Sequence, residues 1–332
     1  MKSRATPHSL FPHRRPWLGL GCGGFGGSCG SSTAGRILDE SYAAGIRYFD
    51  TANSYGFGLS ERILGNWLKG VERSTVTIAT KFGKPVESHH PLRLTVRRNL
   101  TQSLKPLWRM LKKPGTRFAT EECNRRTINA IDIAELKESV CLSLESLQIE
   151  QIDVLHLHSV SPSAVTTEVR DTLKELLESG QVRTLGLATN RSDCATLVES
   201  GFPASVVQFP DSACWAHPIR WESDSYETVI AHSVLGRDGA LRAAFARWLS
   251  GSPRYDEEWS DVIGVSASSK EGIAELLIRG ALARNRSGGV LCGVSRVDQV
   301  AMLKRVNTSP FAAEQNTKLL ATLAQFVIEV TA

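Results

Sequence analysis

Four side chains of different chemistry stand at or just beyond the ends of apolar runs. Asp50 closes Ile46-Arg47-Tyr48-Phe49, Tyr55 follows five residues on, Lys81 follows Val76-Thr77-Ile78-Ala79-Thr80, and His158 closes Ile152-Asp153-Val154-Leu155-His156-Leu157. An acid, a phenol, an amine and an imidazole brought together make a proton-transfer device. A tyrosine, with a reference pKa of about 10, is a poor proton donor at neutral pH, and an adjacent ammonium favours the phenolate. Lys81 can supply that ammonium, Asp50 can keep it charged and aimed, and His158 can polarise or orient a carbonyl oxygen. Taken singly, the same residues have blander readings: a turn cap, a solvated lysine, a satisfied core histidine. Their shared placement at strand ends is what carries the chemistry.

Such a placement needs strands whose ends converge. Runs rich in β-branched and apolar residues predict strands over 17–21, 46–50, 75–80, 152–158, 182–188, 205–209, 227–234 and 290–294. Apolar residues at helical spacing predict helices over 34–44, 60–69, 133–147, 164–179, 241–249, 270–284 and 312–330. Repeated βα units imply a parallel sheet, and eight strand candidates suit a TIM (β/α)8 barrel, where all carboxyl ends of the strands meet on one face and active sites are built. The expected organisation is one barrel domain over 16–332, preceded by a frayed tail over 1–15. A long basic insertion over 84–131 follows the third strand, with a basic helix expected over 92–111. The short span 210–226 leaves room for only a stunted helix.

The chain has 332 residues, 42% of them hydrophobic and 22% charged, which suits a globular protein with a sizeable core. Its net charge of +5 is unevenly spread: residues 84–131 hold eleven Lys or Arg against three acidic residues, a local excess of eight that leaves the remainder at three negative. That segment reads as a lid over an anionic substrate, a contact for another macromolecule, or a solvated surface; it carries no nucleic-acid-binding motif. The seven cysteines include no C-x-x-C, so neither a disulfide framework nor structural zinc is expected. No apolar stretch approaches a membrane span, and the first fifteen residues lack the apolar centre of a secretory signal, so a cytoplasmic protein is expected.

Two further motifs compete for attention. Gly19-Leu20-Gly21-Cys22-Gly23-Gly24 satisfies G-x-G-x-x-G, but polar residues precede it and about ten small residues separate it from the next helix, unlike a Rossmann fingerprint. The glycines, Gly23 among them, read better as a loop where a ligand approaches the backbone. His156 and His158 share a strand face and form an H-x-H pair, yet no further ligands stand at recognisable spacing, and no metal is expected.

Several stretches resemble the aldo-keto reductase family: G-I-R-Y-F-D-T-A-N-S-Y-G with G-L-S-E-R-I-L-G, then T-I-A-T-K-F-G, D-V-L-H-L-H, V-V-Q-F, H-S-V-L-G and G-V-S-R, in the family's order over nearly the whole chain. The resemblance implies an NAD(P)H-dependent oxidoreductase on a TIM barrel, interconverting a carbonyl and an alcohol, with Tyr55 as general acid or base and Asp50, Lys81 and His158 completing a tetrad. It implies that Asn190 and Gln208 bind the nicotinamide carboxamide, with Asp50, Thr189 and Gly23 nearby, and that Ser295 and Arg296 bind the adenosine end. Thr189-Asn190 stands where the family commonly reads Ser-Asn, and His156 where it commonly has an aliphatic residue. NADPH is the expected cofactor, with NADH possible, because Arg296 offers a 2′-phosphate a charged fork of donors. The substrate is expected to be a small aldehyde, ketone or alcohol, with sugars and keto-intermediates among the candidates. The competing reading is a nucleotide-binding regulatory protein on the same barrel with little turnover.

Overall fold

The computed structural model describes residues 11–12, 16–83, 127–215, 226–236 and 239–331. Eight parallel strands close on themselves: β1 (Trp17–Gly21), β2 (Tyr48–Asp50), β3 (Thr77–Phe82), β4 (Ile152–His158), β5 (Val182–Ala188), β6 (Ala204–Pro210), β7 (Thr228–His232) and β8 (Gly289–Cys292), with β8 pairing back to β1. The expected (β/α)8 barrel is therefore the fold. Described helices cover its outside: α1 (Ser31–Ala43), α2 (Leu59–Leu68), α3 (Ile133–Leu147), α4 (Thr167–Glu178), α5 (Arg191–Glu199), α6 (Ala240–Ser250), α7 (Pro253–Ile263), α8 (Lys270–Arg284), α9 (Asp298–Thr308) and α10 (Ala313–Thr331). Residues 84–126, including the expected basic helix over 92–111, lie outside the described residues, as does 216–225 of the short span after β6.

Alternation along the strands divides the barrel interior into an apolar floor and a polar mouth. Trp17, Tyr48, Ala79, Val154, Val206, Ile230 and Leu291 pack as one buried cluster, with Phe11 beneath them. Phe11 lies within the stretch expected to be a tail, yet its ring stacks on Trp17 and Tyr48 at centroid distances of 6.3 and 6.4 Å. Gly289 has no side chain because the Trp17 indole occupies the space, 2.4 Å from where a Cβ would stand. Two residues beyond Tyr48, Ala79, Val154 and Val206, on the same interior face, come Asp50, Lys81, His156 and Gln208, all buried. One strand step thus separates the plug from the chemistry.

Outside the barrel, helix starts follow their caps. The Asp132 side chain accepts from the Glu135 amide to begin α3, Thr166 caps α4 and Ser269 caps α8, each satisfying an amide the helix itself leaves unpaired. Between β6 and β7, Asp211 is buried against Arg191 and Arg284, at 3.6 and 3.4 Å. Burial pushes its carboxyl up to about 6 despite the two guanidinium groups. The folded value lies above that of the unfolded chain, so the folded state holds an extra proton between pH about 4 and about 6. This group's contribution to stability therefore falls as pH rises through that window and is constant above it. Asp211→Asn cannot titrate. The difference in unfolding free energy between wild type and variant is expected to fall by about 3 kcal/mol across the window. Urea unfolding at several pH values checks this, and a difference independent of pH would refute the assignment.

Candidate active site

At the carboxyl end of the barrel the four sequence-predicted residues meet. Lys81 lies inside β3, whose pairing with the longer β4 extends it to Phe82, beyond the expected end at Thr80; its Cα partner is His156. The buried Lys81 Nζ donates to Asp50 Oδ1 and, at 2.7 Å, to the Thr51 carbonyl. It sits 5.0 Å from the centre of the Tyr55 ring. Tyr55 meets His158 edge-on, with ring centroids 6.4 Å apart and planes at 84°. Gly23 lies on the other side of the phenol, where a Cβ would stand 3.6 Å from its Cε2.

Charge in this site is set by burial against pairing. Burial works to lower the Lys81 ammonium, but the Asp50 carboxylate, reinforced by Tyr55, outweighs it and holds the lysine above its ordinary value. Burial raises Asp50, while Lys81 and Gln208 pull it back without cancelling the rise. His156, fully buried beside Lys81, is pushed well below its usual value by burial and then by the lysine charge, so it is neutral at physiological pH. Its Nε2 faces the Tyr48 hydroxyl at 3.5 Å, and its ring fills the space above Gly186, 2.4 Å from where a Cβ would be. His156 is thus a packed interior residue. Among the described residues no three His, Cys, Asp or Glu side chains gather as a metal ion would require.

The loop that presents Tyr55 is held from below by residues whose roles the sequence alone does not reveal. Ser60 Oγ bonds Thr51 Oγ1 at 2.8 Å and donates to the Cys22 carbonyl at 3.0 Å, while Thr80 donates to Glu61 Oε1 at 2.6 Å. Ser60 and Glu61, in the first turn of α2, therefore tie that helix to the ends of β1, β2 and β3. The signal available in the sequence is a Ser-Glu pair opening an otherwise amphipathic helix. Gly56, Phe57 and Gly58 all have positive φ, which turns the chain sharply after Tyr55. A Cβ on Gly56 would lie 2.3 Å from the Phe25 carbonyl. Gly56→Ala is therefore expected to cost about 1–3 kcal/mol of stability and to lower turnover by displacing Tyr55. Denaturant midpoints and kcat measured together check it; wild-type values in both would mean that the loop relaxes freely.

The residues expected at the nucleotide are distributed around the mouth. Gln208 is buried on β6 near Asp50, with its Oε1 unpartnered, as is Asp50 Oδ2. Thr189 is buried just beyond β5 and donates to the Val160 carbonyl at 3.3 Å. Asn190 caps α5: its Oδ1 accepts from the Asp193 amide and the Ser192 hydroxyl, and its Nδ2 donates to Asp193 Oδ2. Ser295 and Arg296 lie beyond β8 on the approach to α9. Gly21 and Gly293, at the neighbouring ends of β1 and β8, leave that side of the mouth without side chains.

Residues 17–323 match the model of the Aldo/keto reductase family. The chain belongs to that family. As an aldo/keto reductase it is an NAD(P)H-dependent oxidoreductase acting on carbonyl and alcohol groups. It is 25% identical over 298 residues to L-galactose dehydrogenase from Arabidopsis thaliana, spanning 83% of this chain and 81% of that protein. It is 24% identical over 262 residues to an NADP(+) aldo-keto reductase from Schizosaccharomyces pombe, spanning 73% and 67%. Among solved structures, the glycerol dehydrogenase of Gluconobacter oxydans superposes with a TM-score of 0.63 at 20% identity, covering 93% of this chain and 92% of that one, a likeness of fold. No described helix of this aldo/keto reductase is long and apolar enough to cross a membrane.

Proposed function

We propose that this aldo/keto reductase interconverts a small polyhydroxylated or keto-bearing carbonyl compound and its alcohol, with Tyr55 as general acid in reduction and general base in oxidation. The observation that carries the reading is the buried Lys81 ammonium, fixed between Asp50 and the Thr51 carbonyl with the Tyr55 ring 5.0 Å away. A carbonyl oxygen placed between the Tyr55 hydroxyl and His158 receives the tyrosine proton. The Lys81 charge stabilises the phenolate that remains, and Asp50 keeps the lysine charged. His158 orients the oxygen.

The bound dinucleotide supplies or accepts the hydride; the protein's part is orientation and the proton. The residues present fit a nicotinamide. The unpartnered Oε1 of Gln208 is an acceptor for a carboxamide N–H, and a buried polar atom without a partner is costly unless a ligand completes it. Asn190 already spends its amide on the α5 cap, so Gln208 is the stronger of the two. Gly23, Asp50 and Thr189 border the same mouth, while Ser295 and Arg296 would meet the adenosine end, with NADPH favoured over NADH through the Arg296 fork. The names of the two dehydrogenases, for L-galactose and for glycerol, support a polyol or sugar-like substrate. Following NADPH and NADH absorbance with a panel of aldehydes, ketones and sugars, and the oxidised dinucleotides with sugars and polyols, tests the reading. Absence of turnover in both directions across the panel would count against it.

A further inference from the structure

The segment after β8 is closed on itself in a way that bears on which dinucleotide it prefers. Arg296 is the single basic side chain between Gly289 and Leu303, and Asp298 the single acidic one. The arginine is not idle: its Nε lies 3.0 and 3.2 Å from the two Asp298 carboxylate oxygens and its Nη2 lies 2.9 Å from Oδ2. Beside this pair, the backbone amides of Ser295 and Arg296 both donate to Gln299 Oε1, at 2.9 and 3.1 Å. The donors of this turn are therefore already divided, the amides to a neutral carbonyl and the guanidinium fork to a carboxylate.

A 2′-phosphate carries close to two negative charges and seeks the same planar fork of donors that Asp298 fills. Admitting it requires Asp298 to turn away and leaves a like charge a few ångströms off. The 2′-hydroxyl of NADH has no such conflict, since it can donate to a carboxylate, as ribose hydroxyls do to acidic residues in other dinucleotide sites. The pair is about two-thirds exposed on both partners, so it is weak and can open. It biases the choice rather than blocking one nucleotide.

We propose that Asp298 is the selectivity residue of this enzyme: by competing for the Arg296 fork it narrows the preference for NADPH over NADH that the free fork would give. The proposal rests on the reading that Ser295 and Arg296 meet the adenosine end. The test is titration of NADPH and NADH by isothermal calorimetry into wild type, Asp298→Asn, Asp298→Ala and Arg296→Ala, a readout independent of turnover. Asp298→Asn removes the charge with little change in size. It is expected to tighten NADPH on the order of tenfold and leave NADH equal or a few-fold weaker; Arg296→Ala weakens NADPH and spares NADH. If both Asp298 variants leave the NADPH to NADH affinity ratio unchanged while Arg296→Ala alters it, the adenosine end is where it was placed and the role of Asp298 is wrong. If Arg296→Ala also changes neither affinity, the adenosine end lies elsewhere and both readings fall.

Discussion

Replacing Tyr55 by phenylalanine is expected to lower kcat by about 10²- to 10⁴-fold while dinucleotide affinity stays within a few-fold of wild type. The substitution removes one hydroxyl and keeps the ring, which packs against Gly23 and meets His158 edge-on. The contacts that shape the mouth therefore survive, and so do Gln208, Asp50 and the residues beyond β8. What is lost is the proton that must reach the carbonyl oxygen as the alcohol forms. His158 is the imidazole that meets the Tyr55 ring, and the experiment separates the two: a Tyr55→Phe enzyme with undiminished turnover would transfer the donor's role to His158. Single-turnover rates measured beside nucleotide titrations keep binding apart from chemistry, so a variant that simply misfolds is recognised by its lost affinity.

Local residue patterns encode the strands of this barrel and the placement of its reactive groups. All eight strands are visible as apolar runs, and the carboxyl ends of three of them carry the four reactive groups, because an alternating interior places residues two apart on one face. The edges are less readable. The β2 run begins at Tyr48 and not at Ile46, whose amide is taken by the Ser41 carbonyl as the chain leaves α1. β3 runs two residues past Thr80 because the seven-residue β4 offers it partners. Three helices, α5, α7 and α9, have no counterpart among the elements expected from apolar spacing. In α5 only Cys194 and Leu197 are buried, and in α7 only Trp259 and Ile263, too few apolar positions to show a helical period. The support beneath the site is hidden for a different reason. Ser60 meets Thr51, and Glu61 meets Thr80, across a fold that only tertiary closure creates. Asn190 illustrates the converse: its identity suits a carboxamide ligand, but a residue opening a helix is equally a cap, and its bonds to Ser192 and Asp193 show that second use.

Lys81→Met should be the most damaging single change, with a signature that separates charge from packing. Methionine keeps the apolar stem of lysine and falls one atom short of its length, so a lysine needed only to fill the barrel mouth would be replaced at little cost. The charge, however, is what the buried Asp50 carboxylate is paired with, and its other oxygen already lacks a partner. Breaking a buried pair by removing one member costs about 3–5 kcal/mol, because the remaining charge is stranded. Turnover is expected to fall by at least about 10²-fold, since the phenolate left on Tyr55 loses the cation beside it. The stability loss should also depend on pH. Asp50 is already raised by burial with Lys81 in place, and without the lysine it rises further. In the variant, the folded state then keeps Asp50 protonated over a range where the unfolded chain is ionised. Stability therefore declines as pH climbs from the ordinary carboxylate value toward the new folded one, and the deficit against wild type is smallest in acid. Urea unfolding from acid to neutral pH, with kcat on the same preparations, decides the matter. A deficit that is flat with pH, or turnover near wild type, would show that Lys81 serves as filler and that its charge has no part in the chemistry.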